Sequence, residues 1–253
     1  MSTLRTCGVC VRGCWQKGAD FQHVSSTLPL ERLRLIAPLV FSLVWLLMPI
    51  KTMATPLTLS IDQVRQQPNG TEVVITGIVT VPSGQFASAT FDQGFAIQDQ
   101  SSGIYVSSDR PLNLAIGDGV RVEGVLQDDG HGQPIVHLQN WQHSKVLLPS
   151  IRPYRVSLKE AVIELDGQLV VVQGTITRPL VEDAPYGDRL WIKDATGTVQ
   201  IYIPRSTRIA PQDLTFLQPG QAVQVTGFSS QYDRNDEIVP RTVEDIRPLE
   251  AVR

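Results

Sequence analysis

Hydrophobic residues in this chain are grouped in short runs rich in valine and isoleucine, and segments rich in glycine, aspartate and serine separate the runs. The clearest runs of the first half cover residues 71–81 and 120–126, and both alternate or run apolar as strands do. A helical spacing of apolar residues is seen in a short stretch, residues 59–67, before the first strand. The pattern predicts an all-β protein with few and short helices.

The second half of the chain repeats the pattern of the first. Residues 73–80 correspond to residues 170–177, and residues 117–124 correspond to residues 220–227, which gives an offset of 97 to 103 residues. An offset of this size exceeds a solenoid repeat and matches one small domain. The predicted organisation is a leader and signal peptide over 1–54, a first domain over 57–148, a linker over 149–155 and a second domain over 156–250.

Each repeat contains five predicted strands after a short helical lead-in. The strands of the first repeat are predicted at residues 71–81, 94–99, 104–107, 120–126 and 134–146. Those of the second are predicted at residues 168–177, 190–194, 198–203, 221–228 and 237–248. Gly77 and Gly174 lie inside the first strand of each set. An interior glycine marks a bend or bulge, as at the corner of a small closed barrel.

A charge-free segment near the N-terminus predicts export. Residues 35–50 carry no charged side chain, arginines precede them, and the small residues Thr52 and Ala54 follow. This order is typical of a secretory signal, with cleavage after Ala54 and only transient membrane contact. The alternative is an uncleaved membrane anchor. We therefore expect a periplasmic or extracellular protein.

Every cysteine of the chain lies in the leader, at Cys7, Cys10 and Cys14. The two repeats contain none, so we expect no disulfide in them. The spacing of the three thiols suits a metal or cluster, but they have no clear fourth ligand. The stretch before Arg32 is long for a secretory signal, so a later translation start, near residue 24 or 28, is one hypothesis. Intact mass or N-terminal sequencing tests whether the cysteines reach the mature protein.

The charge balance disfavours long-range attraction of nucleic acid. After residue 54 the chain carries 16 Lys and Arg against 23 Asp and Glu. Residues 57–150 alone hold four basic and nine acidic residues. An acidic surface does not draw in a phosphate backbone through its overall field.

The sequence predicts no reaction centre. The repeats contain no cysteine nucleophile, no Gly-x-Ser-x-Gly, no glycine-rich phosphate loop and no His-Glu-x-x-His. The histidines His131, His137 and His143 are spaced too far apart along a strand for one metal ion, and the acidic residues 233, 236 and 237 lack the regular spacing of a calcium loop. We therefore expect a non-enzymatic protein without metal or cofactor.

The order of motifs in each repeat resembles the OB-fold. A strand with a central glycine, a polar loop, an Ile-containing segment ending in Asp, a Ser/Thr–Gly turn and a Gly-x-x-Val-x-Val-x-Gly strand follow one another. The resemblance is closest to the exported bacterial nucleic-acid-binding modules found beside extracellular nucleases. No nuclease domain follows in this sequence, and Gln221 replaces the acidic residue of the Gly-Asp pair. The matching residues are Gly77, Phe95, Ile97, Asp99, Gly103, Leu114, Gly117, Asp118, Val120, Val122 and Gly124, then Gly174, Trp191, Ile192, Asp194, Gly197, Leu217, Gly220, Val223, Val225 and Gly227.

The resemblance implies two five-stranded Greek-key barrels, each with a binding face on its second and third strands. Single-stranded nucleic acid is the ligand that the resemblance implies, held by stacking aromatics and by cations. The alternatives are a protein partner in a cell-envelope assembly and an oligosaccharide, and the oligomeric state stays open. Strand aromatics can equally form the barrel core. The expected ligand-binding residues are Phe95, Tyr105, Arg189, Trp191, Lys193, Tyr202, Arg205 and Tyr232.

Two aspartates are expected to be structural. Asp99 and Asp194 precede a Ser/Thr–Gly turn between the second and third predicted strands of their repeats. An aspartate at this position fixes a turn through hydrogen bonds from nearby backbone N–H groups.

Overall fold

The first repeat folds into a closed barrel in the computed structural model, which describes residues 57–86 and 92–250. A single-turn helix, α1 (Ile61–Arg65), precedes the main strands. The strands are β1 (Leu57–Thr58), β2 (Glu72–Val81), β3 (Phe95–Gln98), β4 (Gly103–Ser107), β5 (Gly119–Asp128) and β6 (Pro134–His143). They are ordered β2-β3-β4-β6-β5, and β5 pairs with β2 to close the barrel. The β4–β6 pair is parallel and the other pairs of the barrel are antiparallel.

The second repeat forms the same barrel. Its elements are β7 (Tyr154–Arg155), α2 (Leu158–Ile163), β8 (Leu169–Ile176), β9 (Val181–Asp183), β10 (Gly187–Lys193), β11 (Thr198–Pro204), β12 (Ala222–Tyr232), β13 (Asn235–Val239) and β14 (Ile246–Pro248). The order β8-β10-β11-β13-β12 with a closing β12–β8 pair matches the first barrel strand for strand. This topology is that of the OB-fold, so the predicted pair of tandem five-stranded Greek-key barrels is confirmed.

The glycine in the first long strand of each barrel sits where that strand changes neighbours. Gly77 pairs with Val120 of β5, and the next residue, Ile78, already pairs with β3. A Cβ at Gly77 would lie 3.0 Å from the carbonyl oxygen of Gln98, and one at Gly174 would lie 3.0 Å from that of Lys193. The close approach of the next strand therefore favours glycine at both corners, and the glycines lie at bends of the barrel as the sequence predicted.

Asp99 and Asp194 hold the hairpin turns and also anchor the short helices. The Oδ1 atom of Asp99 accepts backbone hydrogen bonds from Ser101 at 2.7 Å and Ser102 at 2.9 Å, while Oδ2 accepts one from Ile61 at 2.9 Å. Asp194 repeats the arrangement and accepts from the N–H of Leu158. Burial alone would raise the pKa of Asp194, but the hydrogen bonds that it accepts lower this pKa below its usual value. The predicted structural role is confirmed.

Two boundaries of the second barrel differ from the prediction. The predicted strand 237–248 is divided into β13 and β14, because Pro240 follows β13 and has no N–H to continue the ladder. After this break, Arg241 forms a bidentate ion pair with Asp245 at 2.8 and 2.9 Å. The predicted loop 178–188 contains the short strand β9, which pairs with β10.

The predicted signal segment, residues 35–50, and the three cysteines lie outside the described residues. Among the residues that the structure describes, no helix has the length and apolarity needed to cross a membrane.

The two barrels share an apolar core. We call the outer surface of β3, β4 and β6 in the first barrel the docking face, because Ala96, Tyr105 and Ile135 on it pack against Phe228 and Val239 of the second barrel. All five side chains are buried. The burial of this much apolar surface holds the barrels together as one unit.

Polar contacts and a glycine pair complete this interface. Gln98 accepts a hydrogen bond from the N–H of Leu169 at 2.9 Å, and Arg65 pairs with Asp166 at 2.5 Å. A Cβ at Gly103 would lie only 1.9 Å from the carbonyl oxygen of Gly167. The two backbones therefore touch at a point where no side chain fits.

Candidate ligand-binding site

The second barrel carries a cavity of about 330 Å³ on the surface equivalent to the docking face. We call this surface, the outer side of β10, β11 and β13, the open face. The open face carries every second side chain of these strands. The alternate residues point into the barrel core, and they include Leu190, Ile192, Val199 and Ile201. The second barrel lines the cavity with Asp183, Tyr186, Arg189, Gln200, Tyr202, Ser230, Gln231, Tyr232, Asn235 and Glu237.

The first barrel supplies the opposite wall. Phe86, Asp129 and Gln133 complete the lining, and the last two belong to the loop between β5 and β6. The carboxylate of Asp129 accepts backbone hydrogen bonds from His131 at 2.8 Å and Gln133 at 3.1 Å, which keeps this loop in a tight turn. The cavity is therefore a composite of both repeats and exists only while the barrels are docked.

A second set of contacts holds the β5–β6 loop of the first barrel against the β12–β13 hairpin of the second barrel. The rings of His131 and Tyr232 stack with centroids 4.4 Å apart. The Nδ1 atom of His131 lies 2.8 Å from the carboxylate of Asp233, and its carbonyl oxygen accepts a hydrogen bond from the N–H of Asp233. Tyr232 keeps 43% of its surface exposed at the cavity rim. These contacts hold Tyr232 in place while leaving part of it accessible.

Glu237 is the most buried charged group of the cavity. Its side chain accepts a hydrogen bond from Nε2 of Gln200 at 3.0 Å, and only 7% of the residue is exposed. Burial raises the pKa of Glu237 to about 7, because water is withdrawn from the charged form. Among the described residues, Glu237 forms no salt bridge.

Arg189 and Tyr202 form the side of the cavity next to β9. The guanidinium of Arg189 pairs with Asp183 at 2.7 Å. Burial, and after it the charge of Asp183, raises the pKa of Tyr202 to about 12. Its hydroxyl therefore stays protonated at neutral pH, and a hydrogen bond to the side chain of Asp183 adds to the shift.

The cavity has an excess of acidic groups. Three carboxylates line it, those of Asp129, Asp183 and Glu237, against the single guanidinium of Arg189. Because Arg189 already pairs with Asp183, the carboxylate of Asp129 and the ionised form of Glu237 leave the cavity negative. Such a lining favours a neutral or cationic ligand over a phosphate group.

Four of the predicted site residues lie on the open face, and a fifth, Tyr232 at the end of β12, borders it. Arg189, Tyr202 and Tyr232 line the cavity itself. Trp191 and Lys193 continue the outward positions of β10 away from it. The guanidinium of Arg178 lies 3.4 Å from the centroid of the Trp191 ring, a cation–π contact that covers one ring face.

Arg205 has a structural role in the second barrel. It pairs with Glu182 at 2.8 Å and with Asp188 at 2.9 Å, and it does not line the cavity. Burial raises the pKa of Asp188, and the charge of Arg205 opposes this shift. With two carboxylates as neighbours, Arg205 has little charge left for a phosphate backbone.

Phe95 and Tyr105 require a correction. Phe95 points into the core of the first barrel, and Tyr105 lies on the docking face, with both side chains completely buried. The single O–H of Tyr105 is shared between two acceptors, the carboxylate of Asp92 at 2.5 Å and the carbonyl of Phe86 at 3.0 Å. The expected stacking role is wrong for both residues, since neither ring has a free face.

The sequence prediction missed the amides of the site and considered Glu237 only as a calcium ligand. A signal for them exists in the repeat. Gln200 occupies the position of Tyr105, and Glu237 that of Ile135, in the paired third and fifth strands of the two barrels. A polar residue in one copy where the other is apolar marks a surface that differs between the barrels. Within the described ranges, no group of three His, Cys, Asp or Glu side chains is placed to hold a metal ion.

No family model matches the chain, and no curated protein matches it in sequence. Among solved structures, the chain is similar to asparaginyl-tRNA synthetase from Pyrococcus horikoshii, with 24% identity and a TM-score of 0.32 over 38% of this chain and 23% of that one. It is also similar to the hypothetical protein ygiW from E. coli, with 20% identity and a TM-score of 0.29 over 38% of this chain and 90% of that one. The fold assignment made above follows from the strand order and not from these two likenesses.

Proposed function

We propose that this protein is a non-enzymatic binding protein for oligosaccharides and that its ligand lies across the open face of the second barrel. The observation that carries the proposal is the lining of the cavity, which combines tyrosine rings, side-chain amides and carboxylates. OB-folds bind oligonucleotides and oligosaccharides on this face and on the adjoining loops. Apolar ring faces with a few placed polar groups suit sugar rings, which present C–H faces and hydroxyl edges.

The charge of the cavity favours a sugar over nucleic acid. A single strand is held by a positively charged groove that follows its phosphates. Here Asp129 and Glu237 lie in the cavity, and neither forms a salt bridge within the described part of the chain. A carboxylate accepts hydrogen bonds from the hydroxyl groups of a sugar, and a side-chain amide can both accept and donate them. Neither contact brings two negative charges together.

The proposal can be tested by calorimetric titration of the mature chain. The probes are β-1,4-linked tetramers of glucose, N-acetylglucosamine, glucosamine and galacturonate, which cover neutral, amide, cationic and anionic sugars. Tyr186→Ala and Tyr232→Ala each remove a ring at the cavity rim and should weaken binding by about tenfold, roughly 1.4 kcal/mol. Tyr154→Ala is the matched control, since Tyr154 is 41% exposed and lies outside the cavity. The absence of binding by every tetramer would refute the proposal.

Single-stranded nucleic acid is the second candidate. The specific observation in its favour is the group formed by Arg178, Trp191 and Lys193 on the open face, which provides a ring and two cations. Electrostatic capture predicts binding that weakens steeply with salt. A labelled oligonucleotide should then bind at about 50 mM salt, and Arg178→Glu with Lys193→Glu should abolish the signal. Failure to bind at this ionic strength would remove this candidate.

Export is part of the proposal. It is supported by the uncharged segment 35–50 between Arg34 and Ala54. Fractionation of the native cells with N-terminal sequencing of the recovered protein is the test. We expect a chain that begins at Thr55 outside the cytoplasm, whereas a cytoplasmic chain that retains residues 35–50 would contradict export.

A further inference from the structure

Glu237 lies in the cavity as a carboxylate that lacks a cation. Among the described residues, its side chain accepts a hydrogen bond from the amide of Gln200, while the nearby guanidinium of Arg189, whose charge lowers the pKa of Glu237, forms its salt bridge with Asp183. A buried carboxylate is normally paired with a cation, because desolvation of an isolated charge is costly. The cavity therefore has a place for a cationic group, and none of the described residues occupies it.

Gln133 gives an independent indication of a ligand. Its side chain lines the cavity from the first barrel and is only 2% exposed. The Oε1 atom accepts a hydrogen bond from the hydroxyl of Ser230 at 2.9 Å, whereas Nε2 has no hydrogen-bond partner within the described part of the chain. A buried donor without a partner is destabilising, so an acceptor atom from a ligand would stabilise it.

The carboxylate of Asp129 also favours a cationic ligand in the cavity. Asp129 uses its carboxylate to hold the loop through two backbone N–H groups, but it remains a negative charge in the cavity wall. No lysine lines the cavity. The walls formed by Tyr202 and Tyr232 add ring surfaces, and aromatic rings attract cations electrostatically.

We propose that the cavity binds an amino sugar unit whose amine is protonated. The ammonium group donates to the carboxylate of Glu237, and a neighbouring hydroxyl oxygen of the sugar accepts from Nε2 of Gln133. This inference rests on the proposed oligosaccharide function and adds the charge of the preferred unit. The protonated amine supplies a positive charge beside the carboxylate of Glu237, which a neutral or N-acetylated sugar does not.

The test compares two ligands that differ only in this amine. The tetramers of glucosamine and of N-acetylglucosamine, with the same linkage, are titrated into the mature chain at neutral pH. We expect the wild-type protein to bind the glucosamine tetramer at least about tenfold more tightly, as one charge-assisted hydrogen bond allows. Equal affinities would overturn the inference while leaving the oligosaccharide function in place.

Two variants locate the preference. Glu237→Gln keeps the size of the side chain and an acceptor for Gln200, so it should bind both tetramers within about threefold of each other. Asp236→Asn is the matched control, because this neighbouring carboxylate is exposed and points to the other side of β13. It should keep the wild-type preference. A preference that survives Glu237→Gln would overturn the assignment, and binding of neither tetramer by the wild type would overturn the oligosaccharide function with it.

Discussion

The docking face of the first barrel and the open face of the second are the same surface of one duplicated fold. At equivalent positions the docking face has Ala96 and Tyr105 where the open face has Trp191 and Gln200. Ile135 and Glu237 form the third such pair. The first set is buried against the partner barrel, whereas Gln200 and Glu237 of the second set are polar and border a cavity. Duplication thus produced one surface for assembly and one for a ligand, and the same strands serve both purposes.

The largest effect is expected when the docking face loses its central ring. Tyr105→Ala should lower the free energy of unfolding by about 4 kcal/mol, because it leaves a cavity in the shared core and removes the O–H donor that Asp92 and Phe86 share. Urea unfolding followed by circular dichroism measures this change. Tyr154→Ala, an exposed tyrosine, should change stability by about 0.5 kcal/mol or less. A loss below about 1 kcal/mol for Tyr105→Ala would mean that the barrels do not depend on this contact.

Glu237 should give the protein a pH-dependent stability that Ile135 at the equivalent position cannot give. The pKa of Glu237 in the folded protein is about 7 against a usual value of 4.5. The folded state therefore binds the proton of the Glu237 carboxyl more tightly than the unfolded state does. The stability that protonation of Glu237 contributes is complete below pH 4.5 and is lost as the pH rises to 7.

Glu237→Gln removes this titration and should make the protein about 3 kcal/mol more stable than wild type at pH 8. The same variant should differ little from wild type at pH 4. The difference between the two urea-unfolding curves across this range isolates Glu237 from other titrating groups. Parallel curves for variant and wild type would show that the carboxylate is not buried as described.

The glycine contact between the barrels should be more sensitive to substitution than a glycine in the equivalent hairpin turn of the second barrel. Gly103→Ala places a Cβ against the carbonyl of Gly167 and should cost about 2 kcal/mol through forced separation of the backbones. Gly197→Ala is the matched control, since nothing lies within 4 Å of the added Cβ. Thermal unfolding of both variants measures the difference. Equal melting temperatures would place Gly103 outside the interface.

The smallest expected change in stability concerns Trp191, whose equivalent position in the first barrel is occupied by Ala96. Arg178→Ala removes the guanidinium above the ring and should lower stability by about 0.5–1 kcal/mol, the range for a partly exposed cation–π pair. Quenching of tryptophan fluorescence by iodide should also increase. Arg152→Ala, in the linker, is a control for the loss of a positive charge. Unchanged quenching would indicate that Arg178 does not cover the ring in solution.

Local patterns in the sequence predict the barrels well. The strands, the corner glycines and the turn aspartates depend on periodicity and on nearby backbone groups, so Gly77 and Asp99 show their roles in a short stretch of sequence. Faces that meet across the two barrels depend on packing between distant surfaces. Tyr105 and Tyr202 both point outward from the third strand of their barrels, yet the first is covered and the second lines the cavity. The unpaired amide of Gln133 likewise becomes visible only when the barrels are docked.

The most direct test of the central claim is a residue-by-residue map of ligand contact on the mature chain. Amide chemical shifts are recorded by heteronuclear NMR while the glucosamine tetramer is added. The account predicts that the shifts change at Gln200, Tyr202 and Glu237 on the open face, and that the equivalent Tyr105 and Ile135 on the docking face stay unchanged. Changes confined to the first barrel, or scattered over both barrels without a cluster at the cavity, would contradict it.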